Sequence, residues 1–395
     1  MASVRKREWT HNGESKTAWV VAYTDQKGKR RLITCKSKKE ADKERLRVEV
    51  EIENGQHTPA TETVSVHYAI EEWLKDCEGR AAVKSRLTKA SSEHYKYCSR
   101  RIDAEIGSKL LTSVNGQMLQ LMVNDLVLKF KPKTVRNTMM AMTLLFDFAI
   151  ERGWVKRHPV RDEKIHMPPW GSPKPAIPSK EDIARLIGAT EIRPPGESDL
   201  KFMTGRAAFY LAVLGGMRRG EVCALQWENV DWQRGVITVR HNLARLDGLK
   251  EPKTRAGNRV IPMSPPLRKA LEELRDLKGG KPVGHVLTTK TGHHMGLSLL
   301  REDYWVPLVK RAGLCDTAGR PRYRFHALRH AAASLLIEKG LSPLHVKTVI
   351  GHASVKTTMD IYGHLFPEDD AIRRATALIA EDLAATRARQ EGVSD

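Results

Sequence analysis

The period of the apolar positions changes several times along this chain, and each change predicts a different element. Trp19 to Thr24 is a short run of aromatic and β-branched residues, Asp25 to Gly28 favours a turn, and Arg30 to Cys35 can return as a second strand. A hairpin is the expected result. Ser37 to about Glu53 then reads as a charged helix with Ala41, Leu46 and Val50 available for an inward stripe, and Gly55 to Thr63 is small and polar enough for a linker. Helical spacing resumes beyond it: Val66, Ala69, Ile70, Trp73 and Leu74 mark one helix, and Ser92 to Ile106 and Asn115 to Leu128 mark two more. The clearest runs from Lys133 to Arg152, where Val135, Met139, Met142, Leu145, Phe146 and Ala149 recur at helical spacing before Gly153 ends it. A methionine-rich stripe of this kind is packing surface rather than a cofactor site.

From His158 to Pro178 the periodicity disappears and six prolines occur, which predicts a stiff, extended connection. Ser179, with Asp182 three residues later, resembles a capping box and opens a helix to about Gly188. The remainder is mostly helical, interrupted by strand-like Val236 to Arg240 and Arg259 to Pro262. Beyond Pro367, Ile372, Ala375, Ile379 and Leu383 form an apolar stripe on a final helix, suited equally to packing on its own domain or on a neighbouring subunit. The chain therefore reads as multidomain and mainly α with small β elements. Its boundaries are expected at 1–60, 64–165, a linker over 166–178, 179–366 and a tail over 367–395.

Charge narrows the partner. The chain of 395 residues carries 67 Lys/Arg against 47 Asp/Glu, a formal net charge of +20, which favours a polyanion. Residues 1–45 alone hold 13 Lys/Arg against 6 Asp/Glu, including Lys29, Arg30 and Arg31 near the hairpin. A basic two- or three-stranded sheet can enter a major groove, although such a run is often only a solvated face. Lys131, Lys133 and Arg136 at the start of the clearest helix would suit backbone phosphates. No apolar stretch is long enough to span a bilayer and the first residues lack the hydrophobic segment of a secretion signal, so the expected location is the cytoplasm, beside nucleoid or host DNA. The five cysteines form no metal-ligand spacing, there is no HExxH, and His293-His294 reads as a surface pair.

Candidate chemistry lies in the second half. In Gly215-Gly-Met-Arg-Arg-Gly-Glu221, two glycines end an apolar helix and Arg218 falls where a new helix can begin, near backbone N–H groups that favour an anion. Arginine offers a phosphate a rigid fork of donors, and Glu221 is three residues on, within bracing distance. Lys253 lies in a turn-prone segment between the two strand candidates; a lysine there is ordinarily just solvated. His326, Arg329 and His330 can share one helical face while Leu328, Leu335 and Leu336 turn inward. A lone histidine in such a place is usually structural. Here it is followed by His352 after Gly351, by Ser354 as a helix cap, and by Tyr362.

The signatures GGMRRGEVCALQWENVDW, HALRH and IGHASVKTTMDIYGH resemble the tyrosine recombinase or phage integrase family across Ile177 to about Phe366. The resemblance places the family's first arginine on Arg218, its hairpin lysine on Lys253, its HxxR pair on His326 and Arg329, its later His/Trp position on His352 and its nucleophile on Tyr362. Glu221 and His330 would support them. It also implies a small arm-type DNA-binding module, a helical SAM-like core-binding domain and a mixed, mostly α catalytic domain. Gly257 stands where many relatives have Ser, and Met217 replaces a frequent Leu. The implied activity is site-specific cleavage and rejoining of DNA through a 3′-phosphotyrosyl link, integrating or excising a mobile element without ATP, metal or other cofactor. Double-stranded DNA with core and arm sites, a homo-tetramer on the recombining DNA, and bending or directionality factors are the implied partners; no membrane is involved. A relaxing topoisomerase of the same chemistry and a non-catalytic DNA-binding protein are the alternatives.

Overall fold

Strand Ser3–His11 (β1), which the apolar pattern does not announce, pairs antiparallel with Glu14–Thr24 (β2), and β2 pairs in turn with Arg30–Cys35 (β3). The expected hairpin is thus part of a three-stranded sheet centred on β2, in the register Val21↔Ile33 and Val4↔Val21. Gly28, at φ +76°, makes the turn. The polar alternation Arg5-Lys6-Arg7-Glu8 hid β1, because an edge strand with solvated side chains carries no apolar run.

The structure is a computed structural model that describes residues 2–11, 14–83, 87–171, 175–251, 257–366 and 369–391. It divides into two units, Met1–Ser172 and Pro173–Asp395. The architecture is mainly α, with a small β-sheet at the amino terminus and short strands in the second unit.

In the first unit, Ser37 caps Lys38–Glu53 (α1) by accepting the Glu40 N–H. The inward stripe is Ala41 and Val48, both fully buried, while the expected Leu46 and Val50 are each 55% exposed. Positions seven apart share a helix face, whereas 46 and 50 point well away from it. The presumed linker over 55–63 is docked: His57 is buried, with Nε2 at 2.9 Å from the Tyr23 hydroxyl and Nδ1 at 2.9 Å from Glu51. Val66–Ala82 (α2), Lys89–Ile106 (α3), Gly116–Lys129 (α4) and Pro132–Glu151 (α5) form a helical bundle. Its core takes Trp73, Ile102, Leu119, Met142, Leu145 and Phe146, which confirms the methionine-rich stripe as packing. The start of the proline-rich segment is not extended: His158 caps the short helix Pro159–Asp162 (α6), and both His158 and Pro159 are buried. Proline at the first helical position needs no N–H, so a proline-rich stretch can still open a helix.

The second unit begins with Lys180–Glu191 (α7), capped by Ser179, and the apolar Asp199–Val213 (α8). Arg219–Ala224 (α9) leads to Val230–Asp231 (β4), Val236–Val239 (β5), Asn242–Ala244 (β6), Gly248–Lys250 (β7) and Arg259–Pro262 (β8). Strand β5 lies between β4 and β8, with Ile237 opposite Ile261, and β6 and β7 form a separate pair. Pro265–Leu277 (α10) packs on α8. Leu297–Leu299 (α11) continues through a π-helical turn over Leu300–Trp305 into Val306–Arg311 (α12). Ala327–Glu338 (α13), Pro343–Ile350 (α14), Val355–Tyr362 (α15) and Asp369–Glu391 (α16) complete the chain. On α16, Leu378, Ile379 and Leu383 are each about 60% exposed, while the side chains of Ile372 and Ala375 lie outside the described residues. No helix of the described residues is long and apolar enough to cross a membrane.

Candidate active site

Helix α8 ends at Val213, and the second of the two glycines that follow, Gly216, redirects the chain. Gly216 adopts φ +60°, and a Cβ there would lie 2.6 Å from the Ile350 side chain. This left-handed residue turns the backbone so that its carbonyl accepts a 2.7 Å hydrogen bond from Arg329. Two residues later Arg218 caps α9, and Glu221 accepts its backbone N–H at 2.8 Å, the returning half of a capping box. Gly220 allows the helix to approach β6, since a Cβ there would meet the Leu243 carbonyl at 2.5 Å.

Glu221 is only 2% exposed, and four donors fill its carboxylate. Arg218 supplies its N–H and a guanidinium bond of 2.8 Å, and Arg259 supplies two more at 2.8 and 3.2 Å. Burial alone would raise the carboxyl, but the hydrogen bonds and charge of Arg259, followed by the charge of Arg218, outweigh it and hold Glu221 below the ordinary carboxylate range. The same two arginines reach the carboxy-terminal end of α14. Arg259 donates to the Val349 carbonyl at 2.8 Å and Arg218 to the Gly351 carbonyl at 2.7 Å. Gly351 is left-handed at φ +74°, ends α14, and delivers His352 into the site.

Helix α13 carries His326 at its cap, then Arg329 and His330. Arg329 is 2% exposed, and its Nη2 has no hydrogen-bond partner among the described residues. Burial and the neighbouring Arg218 charge both disfavour its cationic form, a strain that an anion would relieve. His352 is buried, its Nδ1 is hydrogen-bonded to Thr358 Oγ1 at 2.9 Å, and its ring stacks on that of Tyr362 at 6.2 Å between centroids. Burial, then the Arg329 and Arg218 charges, push it down to about 4, so it is neutral at pH 7. His326 opens onto solvent at the cleft; partial burial and then the charges of His330, Arg329 and Arg218 hold it below the ordinary imidazole range. Tyr362 ends α15 fully buried, and its hydroxyl lies 2.6 Å from His330 Nδ1. Burial pushes its phenol up to about 12, against which the Arg329 charge acts only in part.

The second unit thus brings together six of the expected residues, Arg218, His326, Arg329, His352, Tyr362 and the supporting Glu221, and places His330 directly on the phenol. Lys253 lies outside the described residues. Beside the cluster opens a cleft of about 720 Å³ whose walls include Arg218, Arg219, Arg301, Arg320, Arg324 and His326. It is dense in guanidinium groups. Among the described residues no group of His, Cys, Asp or Glu is arranged to hold a metal.

Residues 179–369 match the model of the phage integrase family. That region is the one shared by the phage integrase family of tyrosine recombinases. A tyrosine recombinase XerC-like protein of Caldanaerobacter subterraneus is 25% identical over 92% of this chain and 96% of its own length. Among solved structures, the Tn1549 transposon integrase in complex with a circular intermediate DNA superposes with TM-score 0.63 at 18% identity, covering 80% of this chain and all of that one. A lambda integrase tetramer bound to a Holliday junction gives TM-score 0.57 at 18% identity, over 88% of this chain and 95% of that one. At that identity the two structures establish the likeness of fold.

Two residues that build the cluster carry no clear sequence signature. Arg259 looks like a strand residue, yet it is 6% exposed and joins Glu221 to α14. Thr358 looks like a helix-surface residue, yet it is fully buried on His352. An arginine in a β-run, with an isolated glutamate elsewhere in the same domain, is the one available hint for the first; nothing in the sequence marks the second. In the first unit, Lys29 and Arg30 are exposed, whereas Arg31 is largely covered and bound to Asp25 at 2.8 Å and Glu62 at 2.6 Å. Lys131, Lys133 and Arg136 are exposed, with Lys133 over the Trp170 ring and Arg136 donating to the Pro168 carbonyl.

Proposed function

We propose that the cluster holds one DNA phosphodiester and exchanges it onto Tyr362. The observation that carries this is the buried Arg329 guanidinium with an unsatisfied nitrogen, set beside a buried tyrosine. Attack of the phenolic oxygen on phosphorus makes a 3′-phosphotyrosyl link and releases a 5′-hydroxyl. Arg218 and Arg329 hold the non-bridging oxygens, where donors fixed in advance by Glu221 and Gly216 act most strongly as charge develops. His326 lends a hydrogen bond at the open side, His352 orients the tyrosine ring, and Lys253 protonates the leaving oxygen. One ester replaces another, so neither ATP nor a metal is required.

At the level of the whole protein, the assignment is a site-specific recombinase that integrates or excises a mobile element. The arginine-lined cleft receives the backbone flanking the scissile phosphate. The amino-terminal sheet reads arm sites through Lys29 and Arg30, and the helical bundle acts as a SAM-like core-binding domain, with Lys131, Lys133 and Arg136 on phosphates. The exposed Leu378, Ile379 and Leu383 of α16 dock on a neighbouring copy, which fits a tetramer such as that of lambda integrase on a four-way junction. Host bending or directionality factors would act on these complexes.

The test uses two plasmids that carry the short duplicated sequence found at the ends of the element bearing the gene. Joined plasmids support the proposal. Relaxation of each plasmid without joining would make the protein a topoisomerase instead, and binding without either would make it architectural.

A further inference from the structure

The cluster explains how a phosphate is held, but a phenol pushed up to about 12 must still lose its proton as it attacks. Among the described residues, one side chain makes a hydrogen bond to that phenol. His330 Nδ1 stands 2.6 Å from the Tyr362 oxygen, within the range of a strong O–H···N bond. His326 meets the His330 ring edge-on, with centroids 5.0 Å apart, and does not touch the phenol; His352 presents its ring face to Tyr362 and shares its Nδ1 with Thr358. Since the phenol carries the hydrogen, His330 Nδ1 is the acceptor and its proton resides on Nε2.

We infer that His330 is the base of the cleavage step, accepting the Tyr362 proton on Nδ1 as the phenolic oxygen bonds to phosphorus. This rests on the recombinase reading of the same site. In the forward step the Oη–P bond forms, the P–O5′ bond breaks, the phenol proton passes to Nδ1, and the 5′-oxygen takes a proton from the acid assigned to Lys253. Rejoining runs the same path backwards, with Nδ1–H returning its proton to Tyr362 as that oxygen leaves. His330 is therefore needed in both directions.

The surroundings suit the role. The charged and titratable groups facing His330 are Arg329 and His326 from its own segment, and Tyr362 with His352 from the opposite side. Burial and then the Arg329 charge keep the imidazole below its ordinary range, so its lone pair is free at neutral pH. The phosphate, once bound, brings negative charge beside Arg329 and makes an imidazolium there less costly. The competing role is a latch: His330 would simply satisfy a buried hydroxyl until DNA arrives, and removing it would free the nucleophile.

His330→Asn and His330→Ala separate the two. An asparagine amide oxygen can occupy the Nδ1 position and accept the hydrogen bond, but it cannot hold a proton at pH 7. Single-turnover cleavage would be followed from about pH 6 to pH 9 on nicked DNA carrying the core site, once with the natural leaving oxygen and once with a 5′-bridging sulfur, which departs without an acid. The expectation is wild-type DNA affinity in both variants and cleavage slower by roughly 100-fold or more, with Asn no better than Ala. The variant rates should climb with pH where the wild type is flat, and the defect should persist with the sulfur leaving group, because it lies on the nucleophile side. Full activity in the Asn variant, or cleavage at or above the wild-type rate in either, would overturn the assignment in favour of the latch. Failure of wild type itself to form any adduct would instead overturn the recombinase reading on which it stands.

Discussion

Replacing Arg259 by methionine keeps an unbranched apolar stem and removes the guanidinium with its charge, which makes it the sharpest probe of how the site is assembled. The change deletes two charge-assisted bonds to Glu221, at 2.8 and 3.2 Å, and the 2.8 Å bond to the Val349 carbonyl. Arg259 and Glu221 are 6% and 2% exposed, so water cannot readily replace what is lost. Breaking one side of a buried ion pair typically costs about 3–5 kcal/mol. Arg218 still serves Glu221, which favours the lower end, about 3 kcal/mol. For a unit of this size that corresponds to a fall in Tm of roughly 6–12 °C. Thermal unfolding at pH 7, with Glu221→Gln and the double variant completing a cycle, measures the coupling. The pH dependence has a definite sign: Glu221 is held below its unfolded value, so its contribution is present above the ordinary carboxylate range and fades as pH falls through the lowered folded value. Cleavage should fall even at low temperature, where the variant stays folded, because Arg218 and the end of α14 lose their common brace. A variant with wild-type Tm and wild-type cleavage would refute the view that Glu221 and Arg259 set the geometry of the site.

Arg218→Ala and Arg329→Ala should each slow cleavage by roughly 100-fold or more while leaving affinity for the core site nearly unchanged, measured by single-turnover cleavage beside competition binding; equal losses in both would remove the transition-state role. His352 is buried neutral with a folded value of about 4, so protonation in the unfolded chain should cost the native state about 2 kcal/mol between pH 7 and pH 5, and wild type should lose more Tm over that range than His352→Gln does. Lys29→Ala and Arg30→Ala should weaken binding to arm DNA without altering thermal stability, whereas Arg31→Ala should destabilise the amino-terminal module because the buried Asp25 loses its guanidinium partner and Glu62 is left with Lys27 alone; an unchanged arm footprint in the first two would reject their DNA contact.

Much of the site was legible because its residues sit at helix ends, where sequence signals are strong. Gly216 and Gly351 stop helices in the left-handed region, Ser354 caps α15, and His326, Arg329 and His330 follow from a single helical turn. The pairings across the fold were not legible. That His330 rather than His326 or His352 hydrogen-bonds the Tyr362 hydroxyl depends on how α13 and α15 pack, 32 residues apart in the chain. The Arg259 bond to Val349 spans 90 residues. Long-range contacts of this kind leave no local period. The same limit explains β1, whose partner supplies the order that its polar sequence lacks, and the face of α1, where charged residues dilute the apolar stripe enough to misplace Leu46 and Val50. Arg31 shows the opposite failure: its charge was legible, but the carboxylates that absorb it come from a turn and from the segment over 55–63.

The most direct measurement is to trap the wild-type chain and Tyr362→Phe on nicked DNA bearing the core site and to identify the cross-linked peptide by mass spectrometry. A covalent adduct through a 3′-phosphate on Tyr362 is expected in wild type, and in Tyr362→Phe no adduct but undiminished DNA binding. An adduct on another residue, or one that survives in Tyr362→Phe, would contradict that expectation.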